Sequence, residues 1–166
     1  EKSPESLLVP LDGSQFAETA LPVAQSFAQM TGTTIQLLRV VEPTTAHERE
    51  LMFGHSDSLS AVFQTRAKVA TNYLEQISLR LQLAGISCSH HVAFGKPAAA
   101  IAQIAASEAI DLIVMSTHGR AGIERMVYGS VASQVLHDAT CPLLLMHGQE
   151  TVPVQEPIGD VAPALY

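Results

Sequence analysis

The sequence predicts a doubly wound α/β domain, a parallel sheet with helices on both faces, and three observations carry that prediction. Short leucine and β-branched runs alternate with longer stretches whose apolar residues recur every three to four positions, giving the order β-α-β-α-β-α-β-α-β. The short runs are apolar at consecutive positions, as strands covered on two faces require. The 166 residues, 47% of them apolar, suit one domain that buries roughly 70% of its unfolded surface. Right-handed crossovers then leave few arrangements, all of the doubly wound type.

The first strand is residues 6–11 (SLLVPL), stopped by Asp12-Gly13-Ser14, with Pro10 loosening its pairing near the end. Ser14 caps a helix that buries Phe16, Ala20, Leu21, Ala24, Phe27 and Ala28, and Pro22 is expected to kink it. Gly32 ends that helix and residues 33–41 (TTIQLLRVV) form the second strand. Residues 43–58 are polar and without period, a loop with at most one helical turn. Residues 59–83 then carry Leu59, Val62, Phe63, Ala70, Tyr73, Leu74, Ile77 and Leu81 on one helical face, closed by Gly85. The third strand is residues 86–94 (ISCSHHVAF), followed by a helix opened by Gly95-Lys96-Pro97 that turns Ile101, Ile104 and Ala105 inward. The fourth strand spans 111–116, an irregular loop 119–128, a helix 130–138 and the fifth strand 142–146.

Residues 149–166 differ from everything before them. They hold Pro153, Pro157 and Pro163, the acids Glu150, Glu156 and Asp160, and no basic residue. They form an extended or disordered tail outside the sheet, so the folded domain is residues 1–148.

The net charge of −7, from 9 Lys+Arg against 16 Asp+Glu, argues against a nucleic-acid partner, which needs a basic face. No apolar run approaches the roughly 20 residues of a membrane span. Nor does a basic-then-apolar leader open the sequence, and a cytoplasmic protein is the expectation. Cys88 and Cys141 are too few for a disulfide framework.

In an open doubly wound sheet, ligands bind beyond the carboxyl ends of the strands, where the winding reverses. Two strand ends carry unusual residues: Pro10-Leu11-Asp12-Gly13-Ser14, and Ser116 through Gly122 leading to Gly129-Ser130. At the second, Gly119 and Gly122 let amide hydrogens converge, and Gly129-Ser130 opens a helix whose unpaired amides favour an anion. Arg120 and Arg125, the only Lys or Arg residues after Lys96, lie in the same loop. Glycines that merely turn the chain and a serine that merely caps a helix would give the same spacing. Asp12 likewise has two readings, as an acceptor for a ribose hydroxyl or base amine and as an acceptor for the next helix's amides.

On LLVPLDGS and MSTHGRAGIERMVYGSVASQVL, residues 6–148 resemble the universal stress protein family. The second stretch is similar to its nucleotide-binding signature, G-x2-G-x9-G-(S/T), with Gly119 as the second glycine, Gly129-Ser130 as its close, and Ser116 where the first glycine stands. The resemblance implies a Rossmann-like sheet of order 3-2-1-4-5 and an adenine nucleotide, ATP foremost, between strands one and four. By position, Pro10 and Asp12 would lie by the adenosine and Val40 against the adenine. Met115, Ser116 and Gly119 would line the ribose-phosphate path, and Gly129, Ser130, Val131 and Ala132 would present amides to the phosphates. The Ser116 hydroxymethyl would either crowd that path or donate one more hydrogen bond to it. A magnesium ion, if a triphosphate binds, would take its ligands mainly from nucleotide and water. Strand 142–146 is a sheet edge, and antiparallel pairing of two such edges gives the implied homodimer.

Other chemistry finds less support. Cys88 and His90 share one strand face while His91 takes the other, so only two metal ligands converge. His118 either neutralises a phosphate or shapes its loop. No G-x-S-x-G elbow and no G-x4-G-K-(S/T) loop occurs. The leading expectation is therefore an ATP-binding stress-response regulator. A nucleotide-independent dimeric interaction module, with Ser116 marking a lost site, and a slow ATPase are the alternatives.

Overall fold

In the computed structural model, residues 5–43, 61–117 and 129–147 are described, the side chain of Val62 excepted. The elements are β1 (Ser6–Pro10), α1 (Gln15–Glu18), α2 (Leu21–Thr31), β2 (Thr34–Val41), α3 (Ala61–Leu83), β3 (Cys88–Phe94), α4 (Pro97–Ser107), β4 (Leu112–Thr117), α5 (Ser130–Asp138) and β5 (Leu143–His147). All five strands run parallel in one sheet of order β3-β2-β1-β4-β5. β1 pairs with β2 on one side and β4 on the other, so the winding reverses between β1 and β4. The starts of those two strands are tied by Asp111, whose Oδ2 accepts from the amides of Glu5 (2.8 Å) and Ser6 (3.0 Å) and from the Ser6 hydroxyl (3.2 Å).

Alternation along the strands divides the core into two layers. Leu7, Val9, Ile35, Leu37 and Val114 pack against Leu21, Ala24 and Ala28 of α2 and Leu74, Ile77 and Leu81 of α3. Leu8, Leu38, Ile113 and Met115 face the other way, onto Ala98, Ile101 and Ala105 of α4 and Ala132 and Val135 of α5. Each fully buried Leu, Ile or Val contributes about 1.5–3 kcal/mol, so both helical layers are held chiefly by apolar contact.

Local chemistry moves a few boundaries from where the pattern put them. The helix expected after Ser14 is two helices, because the Pro22 ring would clash with the carbonyl four residues back. The chain breaks at Thr19-Ala20, whose amides make short bonds to Phe16 O (3.1 Å) and Ala17 O (3.2 Å), and Pro22 sits in the first turn of α2. β3 begins at Cys88 and not at residue 86, since the Ile86 amide closes the end of α3 on Leu81 O (3.0 Å). β4 and β5 run one residue further than expected, to the pair Thr117 and His147. Of the expected segments, the loop 43–58 beyond Pro43, the helix start at Leu59, the loop 119–128 and the tail 149–166 lie outside the described residues.

Candidate functional site

At the carboxyl ends of β1 and β4 the helices part around a crevice of about 460 Å³, within the usual range for small-molecule sites. Its floor is apolar, formed by Leu38 and Val40 of β2, Met115 of β4, and Pro97 and Ile101 of α4. One wall is the β1–α1 turn with Pro10, Leu11, Asp12, Phe16 and Ala17. Opposite stand Ser116 and Thr117 at the end of β4 and Gly129, Ser130, Val131 and Ala132 at the start of α5.

The β1–α1 wall is closed on itself. Asp12 Oδ1 accepts from both the amide (2.8 Å) and the hydroxyl (2.6 Å) of Ser14. The Ser14 Oγ in turn accepts from the Ala17 amide at 3.0 Å and caps α1. Gly13 between them has φ +86°, and a Cβ there would run into the guanidinium of Arg39. Arg39 comes from the opposite sheet face and stacks over Tyr73 of α3, 5.1 Å from the ring centroid. Tyr73 donates to Glu18 Oε1 (3.0 Å), and Arg80 lies 3.8 Å from the other oxygen of that carboxylate. Burial, then the hydrogen bond to Glu18, raises the Tyr73 phenol well above its ordinary value.

The β4–α5 wall is open by contrast. Gly129 caps α5 without any side chain, and the first backbone bond of the helix is Ser133 N to Gly129 O at 2.9 Å. The amides of Ser130, Val131 and Ala132 precede that bond and have no partner within the helix. They form the positive end of the helix dipole at the mouth of the crevice. Ser116 meets Thr19, at the junction of α1 and α2, with 2.7 Å between the two hydroxyl oxygens.

Of the residues expected to hold a ligand, Pro10, Asp12, Val40, Met115, Ser116, Gly129, Ser130, Val131 and Ala132 all line this one crevice. Gly119, together with His118, Arg120 and Arg125, lies outside the described residues. Leu11, Phe16, Ala17, Leu38, Pro97, Ile101 and Thr117 also line it and were not expected. For Thr117 the signal was available, as a polar residue continuing the buried face of Ile113 and Met115.

Cys88 and His90 share a shallow groove between β3 and α3 with Glu75, Ser78 and Gln82. Burial raises both the Cys88 and the Cys141 thiol. Among the described residues, no three His, Cys, Asp or Glu side chains are placed to hold a metal ion. Nor is any described helix long and apolar enough to cross a membrane.

A family model described as the universal stress protein family matches residues 5–147. A universal stress protein from Thermus aquaticus, encoded in the QAH/OAS sulfhydrylase 3′ region, is 30% identical over 143 residues, covering 86% of this chain and 98% of its own. The structure of the universal stress protein UspA from Lactobacillus plantarum superposes with a TM-score of 0.72 at 25% identity, over 89% of this chain and all of that one. A universal stress protein from Archaeoglobus fulgidus, solved in complex with dAMP, shares the fold with a TM-score of 0.59 at 18% identity, over 87% and 98% of the two chains.

Proposed function

The chain belongs to the universal stress protein family, and from that premise we propose that it is an adenine-nucleotide-binding regulator, with ATP its foremost ligand. The observation that carries this reading is the crevice between β1 and β4, which offers an apolar floor, an acceptor carboxylate and a row of unpaired amides in that order. A purine suits Leu38, Val40, Met115 and Ile101, because a flat apolar surface is removed from water on both sides. Asp12, with its Oδ1 engaged by Ser14, accepts from the ribose or base through its other oxygen. Phosphate oxygens take the amides of Ser130, Val131 and Ala132 and the Ser130 hydroxyl. The Archaeoglobus fulgidus relative solved with dAMP supports an adenine nucleotide as the ligand class.

Asp12 is the one carboxylate among the described residues that line the crevice, and Ser14 already occupies one of its oxygens. With no second carboxylate there to activate water, the site suits a bound regulator better than rapid turnover. Magnesium, where a triphosphate is bound, would take its ligands mainly from the nucleotide and water. The protein works as a homodimer in the cytoplasm. β5 is the sheet edge, Leu144 on it is exposed, and two such edges pair antiparallel across a two-fold axis.

The test is extraction of nucleotide from the purified protein, followed by calorimetric titration with ATP, AMP and cyclic AMP. Bound adenine nucleotide or saturable heat with at least one of them is expected. An empty extract and no heat from any of the three removes the reading.

A further inference from the structure

β4 ends in two hydroxyls that leave the strand on opposite faces, and their protons are differently placed. A hydroxyl has one proton to give. Thr19 gives its own to Phe16 O at 2.7 Å, so in the 2.7 Å contact between Thr19 and Ser116 it is Ser116 that donates. What Ser116 turns toward the crevice is therefore lone-pair density, which repels a phosphate oxygen. Thr117 is the reverse case. It is 5% exposed, it shares the sheet face of Ile113 and Met115, and it lines the crevice. Among the described residues no hydrogen bond uses its hydroxyl. A hydroxyl that lines a crevice and has no partner among the described residues is available to what binds there. Ala132, in the first turn of α5, belongs to the same buried cluster as Ile113 and Met115, so this unused donor lies on the side of the uncapped amides.

Building on the adenine-nucleotide reading, we propose that Thr117, and not Ser116, is the β4 hydroxyl that donates to the ligand's phosphate, beside the amides that open α5. Ser116 instead bolts the end of β4 to the junction of α1 and α2 through Thr19. The serine that replaces the first signature glycine thus belongs to the scaffold, and its threonine neighbour belongs to the ligand.

The experiment titrates the full chain with adenosine, AMP, ATP and inorganic phosphate, comparing Thr117→Val, Thr117→Ser and Ser116→Ala with the wild type. A hydrogen bond to a charged phosphate corresponds to about a tenfold to hundredfold change in affinity. Thr117→Val is expected to weaken AMP and ATP by that factor and to leave adenosine unchanged, while Thr117→Ser keeps all three within about threefold. Ser116→Ala is expected to preserve the ratio of AMP to adenosine affinity. Without ligand, Thr117→Val should melt at the wild-type temperature or above it, because a methyl group replaces an unpaired hydroxyl. Wild-type AMP affinity in Thr117→Val overturns the proposal, as does an equal loss of AMP and adenosine. Inorganic phosphate binding as tightly as AMP also overturns it, since the seat would then serve free phosphate. If the wild type binds adenosine and AMP but the variants do not separate them, this inference fails alone. If it binds no adenine compound, the nucleotide reading fails and this inference with it.

Discussion

The two polar walls of the crevice are built on opposite principles. In the β1–α1 turn the polar groups are spent locally: Ser14 on Asp12, the Ala17 amide on Ser14, and Thr19 on Phe16. At the β4–α5 wall they are held back, with no side chain capping α5 and, among the described residues, no partner for the Thr117 hydroxyl. A wall whose hydrogen bonds are complete is rigid and contributes shape and stability. A wall with unmet donors gives up some stability in the free protein and recovers it when an anion arrives. Substitutions on the first wall should therefore act on folding, and those on the second on binding.

Gly129→Val is the strongest way to break that contrast. Gly129 has φ −58° and ψ 156°, a conformation any residue adopts, so the backbone does not oppose the change. The branched side chain would occupy the approach to the α5 amides. Losing two charge-assisted hydrogen bonds, at about 1.5–3 kcal/mol each, weakens ATP more than about a hundredfold. Calorimetry should show that loss with a melting temperature within a few degrees of wild type. An unchanged affinity would mean that phosphate does not lie over α5.

Gly13→Ala tests the opposite wall. The left-handed backbone opposes a side chain at this position, and the flexible Arg39 guanidinium must also move aside. Such strain costs about 1–3 kcal/mol, read as a lower midpoint in urea with an unchanged slope. Affinity should follow only as far as the turn itself moves. A variant as stable as wild type, with nucleotide binding abolished, would assign Gly13 to the ligand and erase the division.

How much of this was legible in the sequence follows from the range of the forces. The five strands and their order of connection were readable because burial on two faces leaves a continuous apolar run, and because helical faces repeat every three to four residues. The break before Pro22 was not placed correctly, since whether a proline kinks a helix or restarts it depends on neighbouring amides that bond over three residues. Pro10, Asp12 and the start of α5 were nameable from their place at strand and helix ends, whereas Val40 and Met115 came only with the family resemblance. Phe16, Pro97 and Ile101 were not, because they reach the crevice only through the packing of α1 and α4 against the sheet. The direction of the Ser116 proton depends on Thr19, 97 residues away, and no local pattern encodes it.

Ser14→Ala is a smaller change to the closed wall. It removes the α1 cap and the hydroxyl bond to Asp12 Oδ1, while the Ser14 amide still donates to that oxygen. The expected cost is about 1 kcal/mol, a few degrees in melting temperature. ATP affinity within about threefold of wild type would sharpen the contrast further, since the Ser14 amide still holds Asp12 Oδ1 in place.

Tyr73→Phe makes the smallest change and carries a pH signature. Removing the hydroxyl loses the bond to Glu18 but leaves the ring under Arg39, at a cost of about 0.5–1 kcal/mol near neutral pH. The fold holds the neutral phenol, so its pKa is raised above the ordinary 10.0, chiefly by burial and next by Glu18. A raised pKa means that the folded state binds the proton more tightly than the unfolded one. Its contribution is complete below pH 10.0 and declines as the pH rises through the folded-state value. Above pH 10.0 the wild type should therefore lose stability faster than Tyr73→Phe in denaturant titrations, and the gap between them should close. Parallel pH dependence of the two proteins would show that Tyr73 is not held by Glu18. The support that reaches Gly13 from behind through Arg39 would then rest on stacking alone.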